Sequence, residues 1–356
     1  MWLLNILLLI VILGIIILVH EFGHFIWAKK FGVHIYEFSL GMGPVVHTHK
    51  GRDGIDYNIR AFPIGGFVSM AGEVYDDDDK IKKEDLMCHK KWYQRLIILI
   101  AGVVNNFILA IVTLFVIALI WGPTPTKPII SEIVPDSAIS KAVSNETSSS
   151  IEVGDTITRV NGVKTLSWDK LQIALYRKNK NETYQFEVKK SDGKTYTYDV
   201  LPDKQKNEKG VENPVFGFKV GGEVEKGFFS SLKFAFCKFQ SIVDSMILTI
   251  TSLFTGKISL NSLSGPVGIY EVVGQSVSVG LSQVIYIMAF LSINVGFINI
   301  LPFPAFDGGR VLFLIIEKIK RSPVNSKIEN TFHNVGFVLL LLLMVYITIQ
   351  DIIKFF

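Results

Sequence analysis

The sequence has almost no cysteine. Cys88 and Cys237 are the only two in 356 residues, far apart and outside any C-x-x-C spacing. That argues against a disulfide framework and against a thiolate-built metal site. Charge is thin as well. Charged residues make up 19% of the chain and the net charge of +4 is spread along it. No basic stripe of the kind nucleic acid requires is present, so no nucleic-acid partner is expected. Nothing basic precedes the first apolar run, and no small-residue cleavage site follows it. The N-terminal stretch is therefore expected to be a retained helix rather than a removed signal peptide. Internal repeats, which would suggest a transporter, are also lacking.

What the chain has in quantity is apolar sequence. Hydrophobic residues account for 49% of it and the mean hydropathy is +0.39. With several long apolar runs, that composition indicates an integral membrane protein. Four runs are long enough to span a hydrocarbon core, at about residues 2–29, 96–121, 281–301 and 335–353. The 30–95 loop carries Lys50, Arg52, Arg60, Lys80, Lys82, Lys83, Lys90, Lys91 and Arg95. The 302–332 loop carries Arg310, Lys318, Lys320, Arg321 and Lys327. By the positive-inside rule both loops are cytosolic, and both chain ends are extracytoplasmic.

The first run contains His20-Glu21-Phe22-Gly23-His24. On a helix His20 and His24 share one face and can reach one metal ion, while Glu21 is offset and can address a water on it. An ionisable group inside a membrane helix costs roughly 2.5–3.5 kcal/mol or more, so such residues seldom sit there without a partner or a task. Zinc resolves the cost, because it binds neutral imidazole and has its charge balanced by carboxylate. A catalytic zinc wants a third protein ligand and one open position. Asp307 is the best candidate: it follows an apolar run and stands among Pro302, Pro304, Gly308 and Gly309. These residues are expected to prevent a regular helix, leaving broken backbone that lines a cavity. Topology bears on the choice. Residues 227–255 could span the membrane or lie on it. Only if they lie on it does the 281–301 helix carry Asp307 to the side where His20 and His24 are.

Between the runs lie three further regions. Residues 31–74 are broken by glycine and proline, and Asp56–Arg60 and Gly66–Met70 alternate like short strands. A small sheet beside the first helix is expected, with an edge that could take up an extended substrate. The charged 75–91 stretch, with Asp76-Asp77-Asp78-Asp79-Lys80, reads as a solvated loop. In the second run, Ala101-Gly102-Val103-Val104-Asn105-Asn106 serves either close helix packing or the active site. Residues 123–225 are polar. Val153-Gly154-Asp155-Thr156-Ile157, Asn161-Gly162 and a hairpin about Ser191-Asp192-Gly193 together resemble a PDZ domain, which implies binding of peptide ends or strands. Residues 144–150 look like a loop inserted in it.

Taken together, the H-E-x-x-H helix, the PDZ-like insert and Asn299-Ile300-Leu301-Pro302-Phe303-Pro304-Ala305-Phe306-Asp307-Gly308-Gly309 resemble the site-2 protease family. The nearest type is the bacterial regulator-of-sigma-E intramembrane metalloprotease. The resemblance implies zinc held by His20, His24 and Asp307, Glu21 as acid/base, and cleavage within or near the transmembrane segments of single-pass proteins. It further implies that Asn294 and Asn299 hold the substrate backbone. The region of Gly41 and Gly43 would belong to a membrane-embedded β element guiding the substrate. The chain departs from the family in having Phe306 before Asp307, Met42 between the glycines, and no proline beside Gly102.

The expected architecture is a polytopic α-helical membrane protein of about four transmembrane helices, with a membrane-associated β element and one inserted extracytoplasmic PDZ-like domain. The parts are residues 1–122, the first membrane half; 123–225, the PDZ-like domain; 226–275, an interfacial amphipathic region; and 276–356, the second membrane half. The bacterial inner membrane is the expected location. The rival readings are an inactive scaffold, against which intact Glu21 speaks, and a metal-binding transport protein.

Overall fold

The computed structural model describes residues 2–73, 81–125, 127–144, 149–165, 167–176, 183–206, 212–221, 226–258 and 263–355. The acidic run at 76–80 and positions 145–148 of the inserted loop lie outside them. The chain forms two compact units, residues 1–113 with 264–356, and residues 114–263.

The first unit is built on α1 (Trp2–Lys30) and α2 (Trp92–Trp121), whose last turns pass into the second unit. It also holds α5 (Pro266–Val279), α6 (Leu281–Ile300), α7 (Asp307–Lys320) and α8 (Ser326–Phe355). The helices approach closely where side chains vanish: a Cβ on Gly23 of α1 would lie 2.5 Å from the Ala101 carbonyl of α2. Ile12 and Ile16 of α1 pack with Val273 of α5 and with Ile287 and Leu291 of α6. Asp351, near the end of α8, accepts hydrogen bonds from the N–H groups of Gly265 (2.7 Å) and Gly268 (2.9 Å) and so caps α5.

Between α1 and α2 run β1 (Ile35–Lys50) and β2 (Asp56–Met70), paired with each other. Both double back. Glu37 to Leu40 face Ser69 to Gly66 on one side and Asp56 to Ile59 on the other. The folds fall at Gly41, Gly43 and Gly65, all at positive φ, which only glycine adopts without strain. This compact sheet matches the one expected beside the first helix, and Phe25, Ala28 and Val68 share a core with Ile98 and Leu314. Lys29 reaches Asp53 in the β1–β2 turn at 2.6 Å and holds its carboxyl down at about 2.

One expectation holds only in part: α6 ends at Ile300 and residues 301–306 are irregular, but the break stops short of Asp307. The Pro302–Gly309 stretch does not keep Asp307 out of regular structure, because α7 begins at Asp307. The two glycines occupy its first turn, where a Cβ on Gly309 would lie 2.5 Å from the Phe303 carbonyl. They allow the helix to start hard against the preceding turn rather than preventing it.

The second unit holds a sheet in the order β5 (Val163–Lys164), β4 (Thr156–Val160), β6 (Tyr184–Lys189), β7 (Thr195–Val200). Two strand pairs accompany it, β3 (Ile130–Ile133) with β10 (Phe218–Val220), and β8 (Asp203–Lys206) with β9 (Glu212–Val215). Asn161 and Gly162 both take positive φ in the two-residue β4–β5 turn, as their sequence dictates. Ile139, Ile157, Leu171, Phe186 and Tyr198 fill the core. Helix α3 (Trp168–Tyr176) meets α4 (Phe228–Phe254) through polar contacts: Lys238 donates to both carboxylate oxygens of Asp169 at 2.8 and 2.9 Å, and Lys170 lies 3.9 Å from Asp244.

Among the described residues, five helices are long and apolar enough to cross a membrane: α1, α2, α4, α6 and most of α8. Four of them match the runs read from the sequence; α4 is the fifth.

Candidate metal centre

His20 and His24 lie one turn apart on a buried stripe of α1. Each ring is held from behind by α2. His24 Nδ1–H donates to the Ile98 carbonyl at 2.8 Å. The Asn106 amide stands 3.3 Å from His20 Nδ1, and its Oδ1 is buried with no hydrogen-bond partner in this orientation of the amide. The oxygen and nitrogen of that amide are interchangeable in shape, so the satisfied arrangement has His20 Nδ1–H donating to the oxygen. Asn106 is itself fixed, since Ser292 of α6 donates to its carbonyl at 2.8 Å. Asn105 donates to the Val19 carbonyl at 3.2 Å. With both Nδ1 atoms protonated, both Nε2 atoms present lone pairs.

Those lone pairs converge on α7. The Nε2 atoms of His20 and His24 are 3.2 Å apart and lie 3.0 and 3.4 Å from Asp307 Oδ2. That oxygen is buried and accepts no hydrogen bond. Three electron-pair donors do not gather this way without a cation to separate them. Around a tetrahedral zinc with bonds of about 2.0–2.1 Å, ligand atoms stand about 3.3 Å apart, which the three separations bracket. Gly102 gives the room: a Cβ there would lie 2.8 Å from His20 Nε2 and closer still to His24 Nε2. The residues present thus fit a zinc ion.

Glu21 lines a cavity of about 460 Å³ together with His24 and Asp307. Another wall is Phe67 to Met70, the final stretch of β2, and a Cβ on Gly66 would lie 3.5 Å from Glu21 Cγ. The α7–α8 wall includes Arg310 and His333, and Arg310 is ion-paired with Glu73.

The structure therefore brings His20, Glu21, His24 and Asp307 together. It places the other expected residues elsewhere. Asn294 donates to the Phe290 carbonyl of its own helix at 2.7 Å, and neither it nor Asn299 lines the cavity. Gly41 and Gly43 sit at the fold of β1, where a Cβ would strike the Phe62 carbonyl or ring. Sequence reading left Gly102 undecided and gave no role to Ile98, Arg310 or His333. The only signal for the α2 side was the run of small residues and asparagines.

Comparison with known proteins now decides the family. Peptidase family M50 matches the chain over residues 8–343. The chain belongs to the M50 peptidases, the site-2 protease family. Zinc metalloprotease RasP of Shouchella clausii is 31% identical, over 98% of each chain. Regulator of sigma-W protease RasP of Bacillus subtilis is 28% identical, again over 98% of each. Zinc metalloprotease RasP of Geobacillus kaustophilus is 29% identical over 98% of this chain and 97% of its own. This M50 peptidase is a multi-pass intramembrane zinc metalloprotease acting in regulated intramembrane proteolysis.

Proposed function

We propose that His20, His24 and Asp307 are the zinc ligands of this peptidase and that Glu21 is its acid/base. The observation that carries this is the convergence of His20 Nε2, His24 Nε2 and Asp307 Oδ2 within 3.0–3.4 Å of one another, with Glu21 beside them on the same cavity. Zinc in such a site polarises a carbonyl and lowers the pKa of water toward ~7. Glu21 takes the proton released as water oxygen bonds to the scissile carbonyl carbon. It returns that proton to the nitrogen as the C–N bond breaks. Ile98 and Asn106 hold the imidazoles in the ligating tautomer throughout. Asn299, in the last turn of α6, is proposed as a donor to the developing oxyanion, and Asn294, Gly41 and Gly43 as parts of the substrate path.

The substrate is a single-pass membrane protein, and an anti-sigma factor is the natural class given a relative named for sigma-W regulation. A helical substrate hides its carbonyls in its own hydrogen bonds and must unwind before cleavage. Among the described residues no strand pairs with the outer edge of Gly66 to Met70, and Phe67 to Met70 of that edge line the cavity wall. Strand addition there would hold the unwound segment extended.

Four spans are proposed, with α4 lying at the membrane surface. Lys238 and Asp244, within α4, are bonded to Asp169 and Lys170 of α3. A spanning α4 would carry those charges into lipid, at a cost of roughly 2.5–3.5 kcal/mol each. Its other face presents Phe229, Phe236 and Phe254 to the outside, as an interfacial helix does. With α4 on the surface, both chain ends and the PDZ-like unit are extracytoplasmic, and the zinc site is toward the cytosol. The PDZ-like unit then either binds a peptide or restricts the size of what enters.

The test is cleavage of a single-pass substrate by the purified peptidase in detergent. Glu21→Gln should abolish it with zinc retained; His20→Ala and Asp307→Ala should abolish it with zinc lost. Cleavage by Glu21→Gln at the native rate would overturn the assignment.

A further inference from the structure

His333 lies in α8, the helix after the one that carries Asp307, and it lines the same cavity as Glu21 and Asp307. Its two nitrogens have different fates. Nδ1 accepts the backbone N–H of Ala305 at 3.0 Å. A nitrogen that accepts from an amide carries no proton, so the neutral ring has its hydrogen on Nε2. That Nε2 is buried and has no hydrogen-bond partner. A buried donor left unmade is costly, so it calls for a partner that arrives with the substrate.

The cavity walls indicate what the partner is. A peptide laid along Gly66 to Met70 bonds that edge with alternate residues and turns the remaining carbonyls away from it. Those outward carbonyls have left the substrate's own helix and need donors. Of the neighbours of His333 on the cavity wall, Phe306 and Phe337 offer no side-chain hydrogen bond, Arg310 is engaged by Glu73, and Asn334 carries an amide that can donate beside it. Asp307 and Glu21, when ionised, only accept. Ala305 is held at a φ of +69°, in the left-handed region, and its bond to His333 fixes both the turn before Asp307 and the direction of the ring.

We infer that His333 Nε2–H is a hydrogen-bond donor to a substrate main-chain carbonyl opposite the β2 edge, making His333 a substrate-positioning residue of the reaction. The inference rests on the metal cluster being the catalytic centre. It adds a second wall to the substrate clamp, from a helix to which the sequence pattern assigned only a span.

Two substitutions separate the nitrogens. His333→Asn keeps an acceptor near the Nδ1 position for Ala305 and removes the donor at Nε2. His333→Gln places an amide N–H near the Nε2 position. Cleavage of a single-pass substrate with a glycine-containing transmembrane segment is measured in detergent, with zinc content and unfolding midpoint measured on the same samples. His333→Asn is expected to keep native zinc content and midpoint while kcat/KM falls about 10–100-fold, the effect of one lost bond to a buried carbonyl. His333→Gln is expected to recover most of that loss. Native kcat/KM in His333→Asn, equal impairment of both variants, or loss of zinc in step with activity would each overturn the inference. Glu21→Gln is run in parallel: if it still cleaves, the catalytic centre itself is misassigned, whereas an inactive Glu21→Gln beside a fully active His333→Asn removes only the role of His333.

Discussion

Gly102 of α2 faces His20 of α1 so closely that a single methyl group would lie 2.8 Å from the ligating Nε2. The glycine is thus part of the metal site without donating an atom to it. Gly102→Ala is expected to reduce zinc content by about tenfold or more, as loss of a supporting group does, with the helical circular dichroism signal unchanged. Metal analysis of purified protein checks it. Full zinc occupancy in Gly102→Ala would show that the rings do not bind zinc in this arrangement.

Asn106 supports His20 from the other side, 3.3 Å from its Nδ1. Asn106→Leu removes the partner that fixes the ligating tautomer. Zinc affinity should fall about 10–100-fold, measured by competition with a chelator, and Asn106→Asp should fall less because it still accepts. Zinc removed by chelation should restore cleavage when returned, and magnesium, which prefers octahedral oxygen sites, should not.

Arg95 of α2 and Glu317 of α7 form an ion pair at 2.7 Å, largely shielded from solvent. Breaking a buried pair by removing one partner costs about 3–5 kcal/mol. Arg95→Leu should lower unfolding stability by that order, and the double variant Arg95→Leu, Glu317→Leu by clearly less. Chemical unfolding in mild detergent reads both. Equal losses would mean that Glu317 finds sufficient compensation in the Val324 N–H it accepts at 3.3 Å.

The proposed orientation can be tested with single cysteines in a background lacking Cys88 and Cys237. Lys82→Cys, in the loop between β2 and α2, should react with a membrane-impermeant thiol reagent only after permeabilisation. Asp192→Cys, in the β6–β7 turn, should react in intact cells. The reverse pattern would invert the topology, and labelling of both from outside would remove it.

The helix carrying the proposed ligands was legible because two histidines four apart declare a shared face, whatever the rest of the chain does. The approach of Asp307 to the two histidines was legible for a different reason: few carboxylates in the chain directly follow an apolar run. The hairpin at Ser191-Asp192-Gly193 and the Asn161-Gly162 turn were carried by local backbone preference. The helix break was legible in its first half, since α6 ends at Ile300 and residues 301–306 are irregular, but it stops at Asp307 because glycine propensity is a local quantity. Here tertiary crowding against the Phe303 carbonyl is what requires a residue without Cβ. Ile98, Asn106, Arg310 and His333 act through contacts between distant elements, and no short-range spacing records those.

The proposed ligands His24 and Asp307 come from opposite ends of the polypeptide, with the whole second unit between them. Synthesis proceeds from the N-terminus, so the first helix with Glu21 is in place long before α7 exists. Throughout that interval the peptide-cutting apparatus lacks one of its parts. The order of residues along the chain thereby acts as a timer: the enzyme is inert while it is being made and inserted, and it arms itself only once its last quarter has folded back onto its first helix.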